Sequence, residues 1–341
     1  MKRARNFGRW IMALSMVAIV AISSSCTRKL IFDYEGDCGI YYNIRFKYDY
    51  NIKFANAFAN EVNSVALYVF DENETLVDAI VTTDKEELSK ENFEIRLELT
   101  PGHYTLLSWS GLMNEESFDL LGEANIGSTT LSEMKVRMHR TEGVQTSDLK
   151  PLFHGMLTLD VIDEPGTYTE TMSLMKNTNV IRILLHEMSG HKMSSDQFAF
   201  EITDQNGLYD YDNNRLDDEV ILYKPWSTES LYINTEGSTR ATAINAVLAE
   251  LTIGRMSAGS SPILRVKNTE SGEEVFRIPL ADYALLVKGN YRAGMGDQEY
   301  LDRQDEYSMT FFLDEGEWVS SMILINSWRV VFNDAELSSL K

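Results

Sequence analysis

Apolar and polar residues alternate over short runs through most of this chain. In IYYNIRFKY, which begins at Ile40, Tyr42, Ile44 and Phe46 share one face, and Tyr41, Asn43 and Arg45 share the other. That is the two-residue period of a β-strand with one buried face. SVALYVFDENETLVDAIV predicts a hairpin: Val65, Leu67 and Val69 alternate, the DENE cluster turns the chain, and Leu76 to Val81 returns. FEIRLELTPGHYTLLSW predicts a second hairpin. Phe93, Ile95, Leu97 and Leu99 alternate with charged residues, Pro101-Gly102 supplies the turn, and Tyr104 to Trp109 comes back. KVRMHR and LFHGMLTLDVID continue the pattern.

Asp163-Glu164-Pro165-Gly166 reads as the start of a second unit. Beyond it, YTETMSLMKNTNVIRILLHEM, FAFEITDQNGLYD, EVILYKPW, AVLAELTIGRM, SPILRVKNTESGEEVFRIPL and the closing SMILINSWRVVFNDAEL are short, apolar and bounded by turn residues. A helix is suggested in two places. One is Lys53 to Asn63, with Phe54 and Phe58 four apart, and the other lies around Asp282 in DYALLVKGNYRAGM. The expected fold class is all-β: two tandem β-sandwich domains over residues 40–164 and 165–341. No Gly-rich phosphate loop follows a strand, and no short repeat or low-complexity segment is visible.

The first 25 residues follow different rules. Lys2, Arg3, Arg5 and Arg9 make a positive start, Ile11 to Ile22 is an uncharged apolar run, and Ser23-Ser24-Ser25 precede Cys26. This order is a secretory signal peptide, and its apolar run is shorter than the roughly 20 residues that span a bilayer. A cysteine directly after the small residues resembles a bacterial lipobox. The expectation is cleavage before Cys26, acylation of that cysteine, and a tether over residues 26–39. The competing readings are ordinary signal cleavage and a Cys26–Cys38 disulfide, which would close only a small loop in the tether.

Charge narrows the partners. The net charge is −21, and removing the signal's four basic residues leaves 27 basic against 52 acidic, near −25. Nucleic acid is excluded as a partner, because its affinity comes largely from Lys and Arg on phosphates. Electrostatic docking on anionic lipid is excluded as well, which leaves the lipid on Cys26 as the evident membrane attachment.

Several motifs suggest chemistry and fall short. His186-Glu187-Met188-Ser189-Gly190-His191 resembles a zinc-protease signature, but its histidines are five apart and Gly190 interrupts. It reads as a strand end. DYDNNRLDDE places Asp210, Asp212, Asn214 and Asp218 at calcium-loop offsets, yet Arg215 replaces the turn glycine and Ile221 the bidentate glutamate. It reads as an acidic turn, with weak calcium binding left open. The other histidines (His103, His139 and His154) form no recognisable nucleophile or metal set. Trp109, Trp226, Trp318 and Trp328 lie within or beside apolar runs and read as core rather than as sugar platforms. No catalytic residue, metal site, cofactor or small-molecule substrate is expected.

The order of segments resembles the FimB-type fimbrial anchor subunits, accessory lipoproteins of the type V pili of Gram-negative anaerobes. The resembling residues are CTRKLIFDYEGDCGIYYNIRFKYDYN (Cys26 to Asn51), SVALYVFDENETLV, ELTPGHYTLLSWSGL, DLKPLFHGML and ILINSWRVVFNDAEL. The resemblance implies transthyretin-like sandwiches, lipid attachment to the outer membrane, fimbrial stalk subunits as partners, and a role in joining a pilus to the cell and ending its growth. It also implies contacts made by β-strand addition. The run from Met322 to Phe332 (Met322, Ile323, Leu324, Ile325, Trp328, Val330 and Phe332) has the composition of such a strand, or of an ordinary last strand. Arg28 and Lys29 offer a protease site in the tether. In the family's stalk subunits proteolysis frees an N-terminal strand, but an anchor cut there would lose its lipid, so the tether is expected to stay intact. The alternative function is a surface lipoprotein that binds glycan.

Overall fold

The structure is a computed structural model that describes residues 39–112, 117–233, 244–260, 262–288, 292, 294–325 and 328–332. The strands are β1 (Ile40–Lys47), β2 (Val65–Phe70), β3 (Leu76–Thr82), β4 (Glu94–Glu98), β5 (Gly102–Ser110), β6 (Phe118–Leu121), β7 (Lys135–Met138), β8 (Val144–Gln145), β9 (Phe153–Val161), β10 (Gly166–Ser173) and β11 (Met175–Lys176). They continue with β12 (Thr178–Glu187), β13 (Phe198–Asp204), β14 (Leu208–Tyr209), β15 (Ile221–Tyr223), β16 (Ser227–Ile233), β17 (Ile244–Gly254), β18 (Ile263–Asn268), β19 (Glu274–Pro279), β20 (Glu306–Asp314), β21 (Glu317–Ile325) and β22 (Trp328–Phe332). Among the described residues four short α-helices accompany them: α1 (Phe58–Glu61), α2 (Lys85–Leu88), α3 (Leu280–Leu286) and α4 (Asp297–Arg303).

The all-β expectation holds. In the first unit a three-stranded sheet, β10-β1-β4, packs on a five-stranded sheet, β11-β9-β5-β2-β3. The second unit pairs a six-stranded sheet, β16-β17-β12-β20-β21-β22, with a five-stranded sheet, β19-β18-β13-β15-β8. A small sheet, β14-β7-β6, draws on both halves of the chain.

The hairpin expected at 64–81 forms, with β2 antiparallel to β3. Its turn is built by Asp71, whose Oδ1 accepts from the Asn73 and Thr75 amides at 2.9 Å. The short side chain thereby satisfies backbone donors that the turn leaves open. The hairpin expected around Pro101-Gly102 does not form. β4 pairs with β1, whereas β5 lies between β2 and β9 in the other sheet. Burial explains the switch. β4 needs only one covered face, since Ile95 and Leu97 alternate with exposed residues. The second half of β5, Leu106 to Ser110, is buried on both faces, which only a central strand between two layers provides. The same holds for β2, where all six residues are buried. Val65, Leu67 and Val69 face the three-stranded sheet, and Ala66, Tyr68 and Phe70 face the core shared with the second unit.

The boundary expected at residue 164 falls inside the first unit. β10 lies beyond it and pairs with β1, and β11 pairs with β9. In the other direction β8 joins the second unit's sheet beside β15, and β7 pairs with β14. Leu131, Met134, Val136 and Met138 from this excursion join Trp109 and Ile181 in one continuous core. The two sandwiches thus follow one another along the chain, with the excursion over residues 118–145 joining the second from within the first. The helix expected over Lys53 to Asn63 shrinks to α1, which buries Phe58. α4 was not expected. Tyr300 and Leu301 are adjacent rather than at helical spacing, so they give little periodic signal.

Candidate functional site

Cys26, Cys38 and the tether over residues 26–38 lie outside the described residues. The tether leads directly into β1, the middle strand of its sheet. β1 pairs in parallel with β10 at eight positions, from Ile40 opposite Gly166 to Lys47 opposite Ser173. On its other side it pairs antiparallel with β4 at five. Ile40, Tyr42, Ile44 and Phe46 are buried, as the alternation predicts. The Tyr42 ring stacks on Tyr168 of β10 with centroids 5.0 Å apart, and its hydroxyl donates to the Asp160 carbonyl at 3.3 Å. On the open face Asn43 Nδ2 donates to Glu94 Oε1 at 2.7 Å, and Arg45 pairs with Glu94 at 3.3 Å.

The chain after β1 is fastened to the second unit. The Ile52 amide donates to the Arg303 carbonyl at 2.8 Å, and the Arg303 guanidinium lies 4.0 Å from the Tyr50 ring centroid and 4.8 Å from that of Phe54. Lys176, at the crossover between units, binds Glu61 at 2.9 Å and Asp305 at 2.6 Å. Burial works against the Lys176 charge, but Asp305 and then Glu61 outweigh it and raise its pKa. Asn177 Nδ2 donates to Asn213 Oδ1 at 2.6 Å, and Arg255 forks onto Asp302 at 2.7 and 3.0 Å. His154 of β9 meets the Tyr211 carbonyl at 2.8 Å through Nε2, with its ring 4.8 Å from Trp109. Burial pushes its pKa down to about 4, although the Tyr211 carbonyl pulls the other way. The imidazole is therefore neutral near pH 7, with Nε2–H as the donor. Sequence reading missed this seam. Its members are isolated single residues in unrelated segments, and only the fold brings them together.

The run from Met322 to Phe332 is two strands, not one. β21 turns into β22, so Met322 pairs with Val331, Ile323 with Val330, Leu324 with Arg329 and Ile325 with Trp328. β21 also pairs with β20, which leaves β22 as one edge of the six-stranded sheet and β16 as the other.

The remaining motifs have structural roles. His186 lies on β12 with its ring against Phe312, and His191 Nδ1 contacts Ser189 Oγ at 2.8 Å. Asp210 caps its own turn by accepting from the Asp212 and Asn214 amides, while Asp218 pairs with Arg140 at 2.6 Å. The calcium-loop offsets therefore do not converge. Among the described residues no group of three or more His, Cys, Asp or Glu is placed to hold a metal, and no helix is long and apolar enough to cross a membrane. Trp109 is fully buried, and Trp318 packs against Phe276 and Phe311. Trp226 differs from the core reading: it is 38% exposed, with its indole N–H donating to Thr252 Oγ1 at 3.2 Å.

Comparison with known proteins places this architecture. Residues 34–334 match the family model for fimbrillin-A associated anchor proteins Mfa1 and Mfa2. The minor fimbrium anchoring subunit Mfa2 of Porphyromonas gingivalis is 23% identical over 284 residues, 80% of each chain. A Bacteroides thetaiotaomicron protein named as a candidate adhesin superposes with a TM-score of 0.78 at 35% identity, covering 88% of this chain and 100% of its own. A second protein of that organism, named as a candidate polysaccharide-binding protein, gives 0.73 at 28% identity, with 87% and 99% covered. The P. gingivalis fimbrial anchor protein Mfa2 shares the fold, at a TM-score of 0.65 and 17% identity over 86% and 99% of the two chains. A sequence match spanning the tether's end, both sandwiches and the last hairpin makes this chain a member of the fimbrillin-A associated anchor protein family.

Proposed function

We propose that this chain is a non-enzymatic structural lipoprotein, acylated at Cys26, that holds a fimbrium to the outer membrane and ends its growth. The observation that carries this reading is the position of β1. The first described strand after Cys26 is not a loose arm but the middle of a sheet, with partners on both sides. A chain tethered there pulls on a built-in element of the fold. Because β1 keeps its place, the three-stranded sheet has no vacant central position for another subunit's strand, as suits a subunit at the end of a fibre. The tether stays uncut at Arg28 and Lys29. Stalk subunits meet the second unit through the β22 edge, which carries Trp328, Val330 and Phe332, with Met322, Ile323, Leu324 and Ile325 on the neighbouring strand β21. There an added strand continues the six-stranded sheet by backbone hydrogen bonds.

The test is deletion of the gene, followed by imaging of cells and medium. Shed or overlong fibres are expected, and an unchanged fimbrial population defeats the reading. In parallel, Cys26→Ser is expected to release the protein from membranes into the soluble fraction.

One observation supports a second reading, glycan binding. Trp226 is partly exposed beside β16, and one relative is named as a candidate polysaccharide-binding protein. Retention on a polysaccharide gel that Trp226→Ala abolishes would favour it.

A further inference from the structure

We propose that β1 and β10 act as a shear clamp, a mechanical element that lets the molecule carry tension between its tether and its second unit. The inference rests on the Cys26 attachment for its physiological direction, but its geometry stands apart from it. The tether enters β1 at Ile40. The chain leaves β10 at its opposite end, at Ser173, and passes through β11, a two-residue strand paired with β9, and Asn177 into β12. These two strands are direct neighbours and parallel, with Ile40 opposite Gly166 and Lys47 opposite Ser173. Tension between membrane and second unit, once the two-residue β11 is drawn from β9, therefore pulls β1 at its first residue and β10 at its last. Parallel strands pulled from opposite ends slide along their common axis, so all the rungs are strained together. If both loads entered at one end, the rungs would break in succession, each at low force.

The details favour even loading. Hydrogen bonds of a parallel ladder are evenly spaced and slanted, and eight paired positions extend about 26 Å at roughly 3.3 Å per residue. Bonds flanking both ends lengthen the ladder: the Gly166 amide to the Gly39 carbonyl at 3.1 Å, and the Leu174 amide to the Lys47 carbonyl at 2.7 Å. Sliding by one residue would turn the buried face of β1 toward solvent, since side chains alternate. That displacement would expose Ile40, Tyr42, Ile44 and Phe46 and separate the stacked Tyr42 and Tyr168 rings. The far ends of both strands are braced on the second unit, through Ile52 and Arg303 after β1 and through Lys176 and Asp305 after β10. This bracing opposes rotation of the pair into a peeling geometry.

The test is single-molecule pulling of the mature chain carrying Cys26→Ser, which leaves Cys38, two residues before β1, as its sole thiol handle. In one arm the second handle is a cysteine added after Lys341. In the other it is Asp163→Cys, in the turn before β10, so that the same two strands are peeled from one end. Forced rupture is governed by the unfolding rate, so both arms are run at matched loading rates. Rupture of the first unit at several-fold higher force in the end-to-end arm is expected. If the second unit lengthens first, above the peeling force, the clamp has outlasted it and the proposal stands. First-unit rupture at equal or lower force in the end-to-end arm overturns it. Membrane release of the same Cys26→Ser chain is read separately, so failure of the clamp and failure of the lipid attachment are told apart.

Discussion

His154 ties the first unit to the second from a buried site that disfavours its charged form, and this makes acid sensitivity calculable. Its Nε2–H donates across the seam to the Tyr211 carbonyl, and burial holds its pKa down to about 4 against an ordinary value of 6.5. The folded state thus binds a proton less readily than the unfolded chain. Above pH 6.5 neither state is protonated at this site, and the contribution is pH-independent. As pH falls from 6.5 to 4 the unfolded chain takes up the proton first and stability drops, by about 1.4 kcal/mol per pH unit where the difference is one full proton. The full interval is worth about 3 kcal/mol, with about 2 kcal/mol lost by pH 5. Below pH 4 both states are protonated and no more is lost. His154→Gln keeps an N–H donor and removes the titration. Urea unfolding of both proteins at several pH values between 4 and 7.5 gives a difference curve free of the carboxylates that titrate in both. The parent is expected to lose about 2 kcal/mol relative to His154→Gln between pH 7.5 and 5. A flat difference over that range would refute a buried, neutral His154.

Four further outcomes follow from packing and charge. Lys176→Met leaves Glu61 and Asp305 facing each other without their cation; breaking a buried pair costs about 3–5 kcal/mol, and the water still reaching both carboxylates brings the expected loss to about 2 kcal/mol, measured by denaturant unfolding. Trp109→Ala opens a cavity in the shared core and is expected to cost about 3–5 kcal/mol, whereas Trp226→Ala, partly exposed and holding one indole hydrogen bond, costs about 1 kcal/mol. Gly111 has φ +97°, and an added Cβ would lie 2.1 Å from the Pro151 carbonyl oxygen. Gly111→Ala is therefore expected to cost more than the roughly 1–3 kcal/mol of left-handed strain alone, read as a lowered melting temperature.

The alternating runs made the strands legible, because burying one face imposes a period of two that any single strand displays. Partner choice was not legible to the same degree. A run, a Pro-Gly turn and a second run look alike whether the strands pair or diverge into different sheets, and β4 and β5 diverge. What told against a hairpin was present at Leu106 to Ser110, where the alternation fades because both faces are covered. The same fading marks SVALYVF, whose three alternating residues were readable while Ala66, Tyr68 and Phe70 were equally buried. The boundary near residue 164 failed for a related reason. Asp163-Glu164-Pro165-Gly166 is a real turn, but a turn signal does not say whether the next strand returns to the sheet just left. β10 returns to β1, more than a hundred residues earlier in the chain. The seam residues were unreadable in principle: a single Lys176 or His154 gains meaning only when Asp305 or Tyr211 is set beside it.

That long-range return is also where fold and proposed role meet. A parallel pair cannot be made by a tight turn and needs a long connection between its strands. Joining β1 to β10 therefore encloses most of the first unit, β2 to β5 and β9, between the two strands that face the load. Extracting β1 would require the core between the sheets to open, because Ile44 and Phe46 pack with Val65, Leu67 and Val69 of the layer beneath. The long connection that slows the forming of such a pair also makes its separation inseparable from unfolding the unit. For a subunit whose proposed work is to keep hold, a membrane tether joined to an edge strand or a flexible arm would be held by far fewer contacts. The placement of β1 in the middle of its sheet, beside the strand that exits toward the second unit, is the feature of this fold most specific to bearing tension.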